Sequence, residues 1–248
     1  MPASAQTAVV TGASRGFGRA IAAALVAAGH TVAGVARGEP GLQAARDELG
    51  DRFVPVTGDA TSDALAAGVL GRYRPGWLVL NAGARPPMAP LPDQTWETFS
   101  RNWHTDTRQA FTWTRAALRL PLPPGGVVVL MSSGAARAGS PLSGGYAGAK
   151  AAIRFIRDYA AGEADRAGLG LRFVTLLPKL TPATGLGADA VAGYAARQGV
   201  APDVYIKGLQ PLLTPDQLAA AVLTVAGDPA SAPEYLVSGA GLQPLDRP

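Results

Sequence analysis

The sequence predicts an α/β fold in which one doubly wound parallel sheet is covered by helices on both faces. Short apolar runs alternate with segments of helical character along most of the 248 residues. The runs are continuously hydrophobic, which is typical of strands buried on both faces of a parallel sheet. Because crossover connections between parallel strands are right-handed, this order winds helices onto both sides of the sheet. With no internal repeat and no linker, the chain is expected to form a single domain over residues 1–248.

The first half of the chain contains four predicted strands with helices between them. The strands are short apolar runs at residues 8–10, 31–36, 53–56 and 77–80. The helices cover residues 17–28, 42–49 and, more weakly, 64–73. The first helix stops at Gly29, because glycine commonly ends a helix.

The second half continues the alternation with longer helices. Strands are predicted at residues 127–131, 171–177 and 235–237, and helices at residues 94–120, 146–167 and 215–226. The segment 181–213 interrupts this pattern because it is rich in Gly and Pro and too long for an ordinary connection. It follows the carboxyl end of a strand, where α/β sheets bind ligands, so we predict a lid or substrate loop. A partly disordered surface insertion is the alternative.

Composition excludes several classes of function. The absence of cysteine excludes disulfides, thiolate metal sites and cysteine nucleophiles, and two histidines, His30 and His104, are too few for a His-rich metal site. The net charge of +4 comes without a Lys/Arg run, so nucleic acid is not an expected partner. No apolar stretch reaches the roughly 18 residues of a membrane span, and the N-terminus lacks a targeting pattern. We therefore expect a soluble cytoplasmic protein that has no membrane partner and no metal.

The first strand runs into a glycine-rich turn that opens a helix. The turn contains Gly12, Ser14, Arg15, Gly16, Phe17 and Gly18. Glycines permit a sharp bend and let backbone N–H groups at a helix N-terminus approach a pyrophosphate closely. The spacing G-x-x-x-G-x-G differs from the common G-x-G-x-x-G fingerprint of dinucleotide sites. An ordinary Gly-rich turn is therefore the alternative.

The end of the second strand favours NADP over NAD. An acidic residue at this position would bind the ribose 2′-OH of NAD. This chain instead has Ala36 followed by Arg37, and Arg15 lies in the glycine turn. Two guanidinium groups suit a 2′-phosphate, which arginine binds through charge-assisted hydrogen bonds. The alternative is a pair of solvated arginines in an Arg-rich chain.

Ser133, Tyr146 and Lys150 form a pattern suited to proton transfer. Tyr146 and Lys150 are one turn apart on the same face of a predicted helix. A cation favours the ionised form of a phenol, whose ordinary pKa is about 10, and so makes proton transfer feasible near neutral pH. A serine hydroxyl can hold the substrate oxygen. Together the three side chains could perform general acid–base catalysis, although a helix-surface contact would give the same spacing.

These motifs, in this order, resemble those of the short-chain dehydrogenase/reductase family over essentially the whole chain. The matching elements are Thr11-Gly12-x-x-x-Gly16-x-Gly18, Asp59, Asn81-Ala82-Gly83, Ser133 and Tyr146-x-x-x-Lys150. The resemblance implies a Rossmann-like fold and NADP(H)-dependent interconversion of a ketone or aldehyde and its alcohol, a small-molecule substrate. It implies that Tyr146 is the general acid/base and that Ser133 orients the carbonyl or alcohol. Lys150 would lower the pKa of Tyr146 and bind the nicotinamide ribose.

The same resemblance implies a set of cofactor contacts. The expected contacts are Gly12, Ser14, Arg15, Gly16, Phe17, Gly18, Arg37, Asp59, Ala60, Asn81, Ala82, Gly83, Tyr146, Lys150, Pro178 and Thr181. Asp59 would contact the adenine, and Asn81-Ala82-Gly83 would steady the sheet and line the cofactor, or form a simple strand-ending turn. Thr181 is our choice for the contact with the nicotinamide carboxamide, and Thr184 is the alternative.

Two positions depart from the family pattern. The family usually has an asparagine on the long fourth helix, where it holds a water that relays protons to the lysine. Alignment on Phe99 assigns Asn102 to this role, whereas alignment on Phe111 assigns Asp106 and spans more residues, so we favour Asp106. A carboxylate there would change the proton path and the charge of the site, unless Asp106 is only a helix-surface acid.

The second departure is Lys179, which replaces the glycine that usually follows Pro178. It could attract an anionic substrate, close the loop over the cofactor, or be a solvated loop residue.

The resemblance also implies a homodimer or homotetramer, since the family pairs its fourth and fifth long helices across an interface. Candidate interface residues are Phe111, Trp113, Ile153 and Phe155, with core packing as the alternative. Two other functions stay open. One is a non-catalytic NADP(H)-binding sensor or scaffold, and the other is an enzyme of the same fold with non-redox chemistry, such as an epimerase or dehydratase.

Overall fold

The computed structural model describes residues 6–120 and 122–245. In this part of the chain the strands are β1 (Thr7–Thr11), β2 (Thr31–Ala36), β3 (Phe53–Thr57), β4 (Trp77–Leu80), β5 (Val127–Met131), β6 (Arg172–Pro178), β7 (Glu234–Ser238) and β8 (Gly241–Pro244). The α-helices are α1 (Gly16–Ala27), α2 (Glu39–Leu49), α3 (Asp63–Tyr73), α4 (Trp96–Asn102), α5 (Arg108–Arg119), α6 (Ala135–Ala138), α7 (Gly144–Arg166), α8 (Gly185–Gln198), α9 (Pro202–Lys207) and α10 (Pro215–Gly227).

The strands form one sheet in the order β3-β2-β1-β4-β5-β6-β7-β8. All neighbours pair in parallel except β7 and β8, which form an antiparallel hairpin at the edge. The predicted doubly wound α/β fold is therefore confirmed. The short strand β8 and the single-turn helix α6 were not predicted, because neither has an apolar run of its own.

Helices cover both faces of the sheet, and two hydrophobic cores result. Alternate residues of one strand enter different cores, as Val9 and Val10 of β1 illustrate. The core that contains Val10 is closed by α1, α2 and α10. The core that contains Val9 is closed by α3, α5 and α7. Because both faces are covered, the central strands β4 and β5 are buried along their whole length.

The long helix predicted for residues 94–120 is present and contains an irregularity. A π-helical turn, Trp103–Thr107, joins α4 to α5. π-Helical turns are rare and occur frequently at functional sites. Asp106 lies within this turn and is buried.

The Gly- and Pro-rich segment 181–213 contains helices α8 and α9, which the sequence analysis did not predict. Several of its polar, Gly and Pro residues mark helix ends. The Thr184 side chain accepts a hydrogen bond from the backbone N–H of Gly187 and caps α8, and Gly199 ends α8 in the left-handed conformation. Pro202 opens α9, where a missing N–H costs nothing.

The four aromatic and aliphatic candidates for an oligomer interface divide into two groups. Trp113 and Ile153 are buried in the core, so the interface prediction is wrong for them. Phe111 and Phe155 are 52% and 56% exposed. In residues 6–120 and 122–245, none of the helices has both the length and the apolar character needed to cross a membrane.

Candidate active site

A cavity of about 1440 Å³ opens at the carboxyl ends of the central strands. β1 and β4 are neighbours there. The sheet continues from β1 through β2 to β3 on one side and from β4 through β5 to β6 on the other, so the strand order reverses between β1 and β4. α/β sheets bind ligands at such a reversal of strand order. The cavity exceeds the roughly 300–1,000 Å³ of ordinary ligand sites, which leaves room for a dinucleotide beside a small substrate.

Most of the residues predicted from the sequence line this cavity. The lining includes Gly12, Ser14, Arg15, Gly16, Phe17, Arg37, Asp59, Ala60, Asn81, Ala82, Gly83, Asp106, Ser133, Tyr146, Lys150, Pro178 and Thr181. Gly18 and Asn102 do not line it, but each contacts a residue that does: Gly18 packs against Gly12, and Asn102 donates a hydrogen bond to Asp106. Across the described ranges 6–120 and 122–245, no group of three His, Asp or Glu side chains could hold a metal ion.

The glycine turn brings backbone close to backbone at two points. Gly12 has φ +72°, and a Cβ there would lie 2.9 Å from the Cα of Ala82. A Cβ on Gly18 would lie 2.1 Å from the Gly12 carbonyl oxygen, so only glycine lets α1 pack against the turn. No side chain caps the N-terminus of α1, which leaves its first N–H groups available to an anion.

Thr11 joins the two central strands to α5, and the sequence analysis did not identify this role. The Thr11 hydroxyl accepts hydrogen bonds from the backbone N–H groups of Asn81 and Ala82, at 2.9 and 3.0 Å. It donates to the Gln109 side-chain oxygen at 3.2 Å. The Asn81 amide donates to the Thr11 carbonyl at 3.1 Å, so Asn81 steadies the sheet as the family resemblance implied. Gln109 follows Asp106 by three residues on the predicted helix, and that spacing could have identified it.

Arginines surround the end of the cavity near β2 and β3. Arg15 and Arg37 are exposed, and in the described part of the chain neither forms an ion pair. Asp59 accepts hydrogen bonds from the backbone N–H and the hydroxyl of Thr61, both at 2.9 Å. The Thr61 backbone N–H, with smaller contributions from the Thr61 hydroxyl and Arg37, holds the pKa of Asp59 below its usual value.

Ser133, Tyr146 and Lys150 meet at the other end of the cavity. The Ser132 hydroxyl donates to the Lys150 carbonyl at 2.7 Å and thereby fixes α7 on the end of β5. Ser133 and Tyr146 both line this end of the cavity, and the Ser133 hydroxyl favours the ionised form of the Tyr146 phenol. Burial raises the pKa of Tyr146, and it outweighs the opposing effects of Lys150 and Ser133, so the net shift is upward. Lys150 thus has the expected effect on Tyr146, but it does not determine the direction of the net shift.

Asp106, and not Asn102, contacts Lys150. The Lys150 Nζ lies 3.1 Å from Asp106 Oδ2 and donates to the Met131 carbonyl at 3.1 Å. Their side chains are only 6% and 1% exposed. Burial alone lowers the pKa of Lys150, but the carboxylate of Asp106 and the phenol of Tyr146 together raise it above its ordinary value.

The Asp106 carboxylate is held on all sides. Its Oδ1 accepts hydrogen bonds from the Ala84 backbone N–H at 2.9 Å, the Thr105 hydroxyl at 2.9 Å and the Asn102 amide at 3.2 Å. A Cβ on Gly83 would lie 2.7 Å from Oδ2, so Gly83 leaves the space that the carboxylate occupies. Asn102 therefore supports Asp106, because its amide also donates to the Ala84 carbonyl at 2.8 Å.

The side chains after β6 differ in whether their polar groups already have a partner within the protein. The buried Thr181 hydroxyl donates to the Leu213 carbonyl at 2.6 Å, so its proton is already engaged. The Thr184 methyl group lies 3.8 Å from where a Cβ of Gly16 would be, so Thr184 faces the glycine turn. Lys179 is exposed at the cavity mouth and has no ion pair within residues 6–120 and 122–245. The assignment of Thr181 to the carboxamide stays a prediction.

Helices α8 and α9 form one wall of the cavity. The rings of Tyr194 and Tyr205 stack with their centroids 6.1 Å apart, and both line the cavity. The Tyr194 hydroxyl hydrogen-bonds Ser140, and Arg85 pairs with Asp189 at 3.0 Å. The sequence analysis missed this aromatic pair. Two tyrosines inside a Gly- and Pro-rich segment are the signal that could have revealed it.

Comparison with known proteins agrees with this geometry. Residues 6–193 match the family model described as short chain dehydrogenase. A serine 3-dehydrogenase of Agrobacterium fabrum is 31% identical over 231 residues, which cover 90% of this chain and 88% of that protein. An NADPH-dependent pterin aldehyde reductase of Arabidopsis thaliana is 32% identical over 60% of this chain and 65% of its own length. Another relative is matched over only 56% of its own length.

A crystal structure of a short-chain dehydrogenase from Streptomyces avermitilis superposes with a TM-score of 0.76 at 30% identity. The match covers 94% of this chain and 88% of that one. The family model covers well over half of the chain, and the structural match extends to nearly all of it. This chain belongs to the short-chain dehydrogenase/reductase family.

Proposed function

We propose that this protein is an NADP(H)-dependent oxidoreductase that interconverts a ketone or aldehyde with the corresponding alcohol. The cluster of Ser133, Tyr146 and Lys150 at one end of a dinucleotide-sized cavity carries the proposal. Both hydroxyls and the ammonium group converge there, and a glycine turn with free helix N–H groups lies in the same cavity. The short-chain dehydrogenase/reductase fold is consistent with this assignment.

The cavity fits NADP(H) in its donor groups and its shape. The uncapped N-terminus of α1 would bind the pyrophosphate, and Arg15 and Arg37 would bind the 2′-phosphate. Lys150 has three N–H donors, of which Asp106 and Met131 occupy two, so one is left for the nicotinamide ribose. When bound, the nicotinamide supplies or accepts the hydride.

The residues of the chain manage the oxygen and the proton. In reduction, the hydroxyls of Ser133 and Tyr146 hold the carbonyl oxygen, and the Tyr146 hydroxyl donates its proton to that oxygen as the alcohol forms. In oxidation the phenol oxygen of Tyr146 accepts the proton from the alcohol. Because burial raises the pKa of Tyr146, the group is protonated at neutral pH and is ready to act as an acid.

The direct test is nicotinamide absorbance over a panel of ketones, aldehydes and alcohols, with NADPH and NADH run in parallel. We expect substrate-dependent oxidation of NADPH for at least one carbonyl. Tight binding of NADPH with no turnover of any compound would contradict the proposal and would favour an NADP(H)-binding sensor or scaffold. A bound cofactor that returns to its starting oxidation state during turnover would favour net non-redox chemistry.

Arg15 and Arg37 are expected to determine the preference for NADPH. A hydrogen bond to a charged group contributes roughly 1.5–3 kcal/mol, so replacing either arginine with Ala should raise the KM for NADPH about tenfold or more. The KM for NADH should stay unchanged, because NADH lacks the 2′-phosphate. Initial rates at varied cofactor concentration measure both values.

Arg119→Ala is the matched control for these variants, since Arg119 is exposed and lies outside the cavity. It should leave both KM values unchanged. Equal increases in KM for NADPH and NADH in the Arg15 and Arg37 variants would contradict a role in recognising the 2′-phosphate.

Lys179 is expected to favour substrates that carry an anionic group. It lies exposed at the cavity mouth without a carboxylate partner in the described residues. Solvent-exposed charge pairs contribute roughly 0.2–1 kcal/mol, so Lys179→Gln should lower kcat/KM for a keto acid about two- to fivefold. The methyl ester of the same acid is the control substrate and should be unaffected. An equal loss for acid and ester would show that the side chain acts on something other than the charge.

A further inference from the structure

Asp106 adds a negative charge directly beside the cation of the Ser133, Tyr146 and Lys150 cluster. The Lys150 Nζ is 5.6 Å from the centroid of the Tyr146 ring and 3.1 Å from Asp106 Oδ2. With Asp106 ionised, Lys150 protonated and Tyr146 neutral, the three groups carry no net charge. Without Asp106 the same cluster would carry one buried positive charge.

The structure holds the Asp106 carboxylate in place beside Lys150. Three donors point at Oδ1, namely the Ala84 N–H, the Thr105 hydroxyl and the Asn102 amide, while Oδ2 faces Lys150. These contacts fix both oxygens of the carboxylate at once. A Cβ at position 83 would lie 2.7 Å from Oδ2, so Gly83 provides the space that the carboxylate occupies. The charge therefore stays beside Lys150.

This charge opposes the effect of Lys150 on Tyr146. A lone ammonium at this distance would stabilise the tyrosinate, because the Lys150 side chain is only 6% exposed and its charge is poorly screened. The Asp106 carboxylate opposes this effect and raises the pKa of Tyr146. Two other groups act on the Tyr146 phenol: the Ser133 hydroxyl lowers the pKa of Tyr146, and Tyr194 raises it.

We propose that Asp106 is a positioning residue that acts through Lys150 to keep the proton on Tyr146, so that the resting site donates a proton more readily than it accepts one. This inference rests on the proposed role of Tyr146 as general acid/base. The inference predicts a different pH dependence for each direction of the reaction. Reduction, which needs the protonated phenol, proceeds over the neutral range, whereas oxidation of the alcohol becomes efficient only at more alkaline pH.

The test is the isosteric variant Asp106→Asn, which removes the charge and keeps the size. Ionisation of Tyr146 is followed from pH 7 to 11 by phenolate absorbance near 295 nm, as the difference between each protein and its Tyr146→Phe counterpart. In the parent protein we expect no ionisation of Tyr146 below about pH 10. In Asp106→Asn we expect the midpoint to fall by about one pH unit or more.

The pH profile of kcat for alcohol oxidation should shift to lower pH by the same amount. Because Tyr146 and Lys150 titrate as a coupled pair, this profile reports the proton lost by the pair, whichever group releases it. Asp51→Asn is the matched control, since Asp51 is 99% exposed and pairs with Arg46 outside the cavity. Asp51→Asn also removes one negative charge, and it should leave both the titration midpoint of Tyr146 and the pH profile of kcat unchanged.

Two outcomes would overturn the inference. One is an unchanged titration midpoint in a folded Asp106→Asn protein. The other is an equal shift in Asp51→Asn, which would make the effect one of net charge. If Asp106→Asn does not fold, Asp106→Ser replaces it, because the smaller side chain cannot collide with Gly83.

The tyrosine titration needs no substrate, so its result is valid even if the proposed function is wrong. If Tyr146→Phe abolishes turnover while Asp106→Asn leaves the midpoint unchanged, only the role of Asp106 is refuted.

Discussion

Replacing Tyr146 with Phe is expected to lower kcat about 10²–10⁴-fold in both directions of the reaction, because positioned general acid–base catalysis contributes by that factor. The phenyl ring keeps the shape of this part of the cavity wall, so NADPH affinity should change little. Nicotinamide absorbance measures kcat, and quenching of protein fluorescence on titration with NADPH measures binding.

Tyr159→Phe is the control for this variant. Tyr159 lies on the same helix α7, is 69% exposed and stacks on Phe155. The substitution removes a hydroxyl of the same chemistry from outside the cavity, and kcat should remain at the level of the parent protein. A loss of less than about tenfold in Tyr146→Phe would contradict the assignment of the general acid/base.

The second large effect is on stability. Lys150→Met should lower the free energy of unfolding by about 3–5 kcal/mol, because it leaves the buried carboxylate of Asp106 without its counter-ion. Urea unfolding followed by circular dichroism measures the change. The cost should be present across the neutral pH range. Because the folded-state pKa of Lys150 is raised, the contribution of the pair is complete below the unfolded value of about 10.4 and is lost only as the pH rises through the folded-state pKa.

The double variant Asp106→Asn with Lys150→Met separates the cost of an unpaired charge from the value of the pair. Replacing both partners by neutral groups of similar size is often nearly neutral, whereas removing one partner is not. We therefore expect the double variant to recover most of the loss. If the free-energy changes of the two single substitutions simply add up to that of the double variant, the ion pair contributes nothing specific at this site.

Much of the fold could be predicted from local patterns. Continuous apolar runs are characteristic of buried parallel strands, and the predictions for β2, β4 and β5 match the structure at both ends. The Gly- and Pro-rich segment 181–213 shows the limit of this approach. Thr184, Gly199 and Pro202 mark the ends of helices α8 and α9, but a cap and a loop residue have the same signature when the helix between them is weakly amphipathic.

The sequence predicted the spatial arrangement best where candidate site residues are close in the chain. The four-residue spacing of Tyr146 and Lys150 on α7 and the compact glycine turn define their own geometry, because one element positions both partners. The choice between Asn102 and Asp106 was different. Both lie on one helix, and only the π-helical turn Trp103–Thr107 and the packing of that helix against α7 bring Asp106 to Lys150.

The sequence by itself determined the α/β fold, the family resemblance, and which residues are the acid–base and glycine-turn candidates. Each of these depends on periodicity, on spacing within an element, or on the order of motifs along the chain. Only the tertiary structure decided that Asp106 neutralises Lys150, that Thr11 and Gln109 join the strands, and that Tyr194 and Tyr205 line the cavity. These contacts connect residues far apart in the chain, and their distances depend on how whole elements pack, which no local pattern encodes.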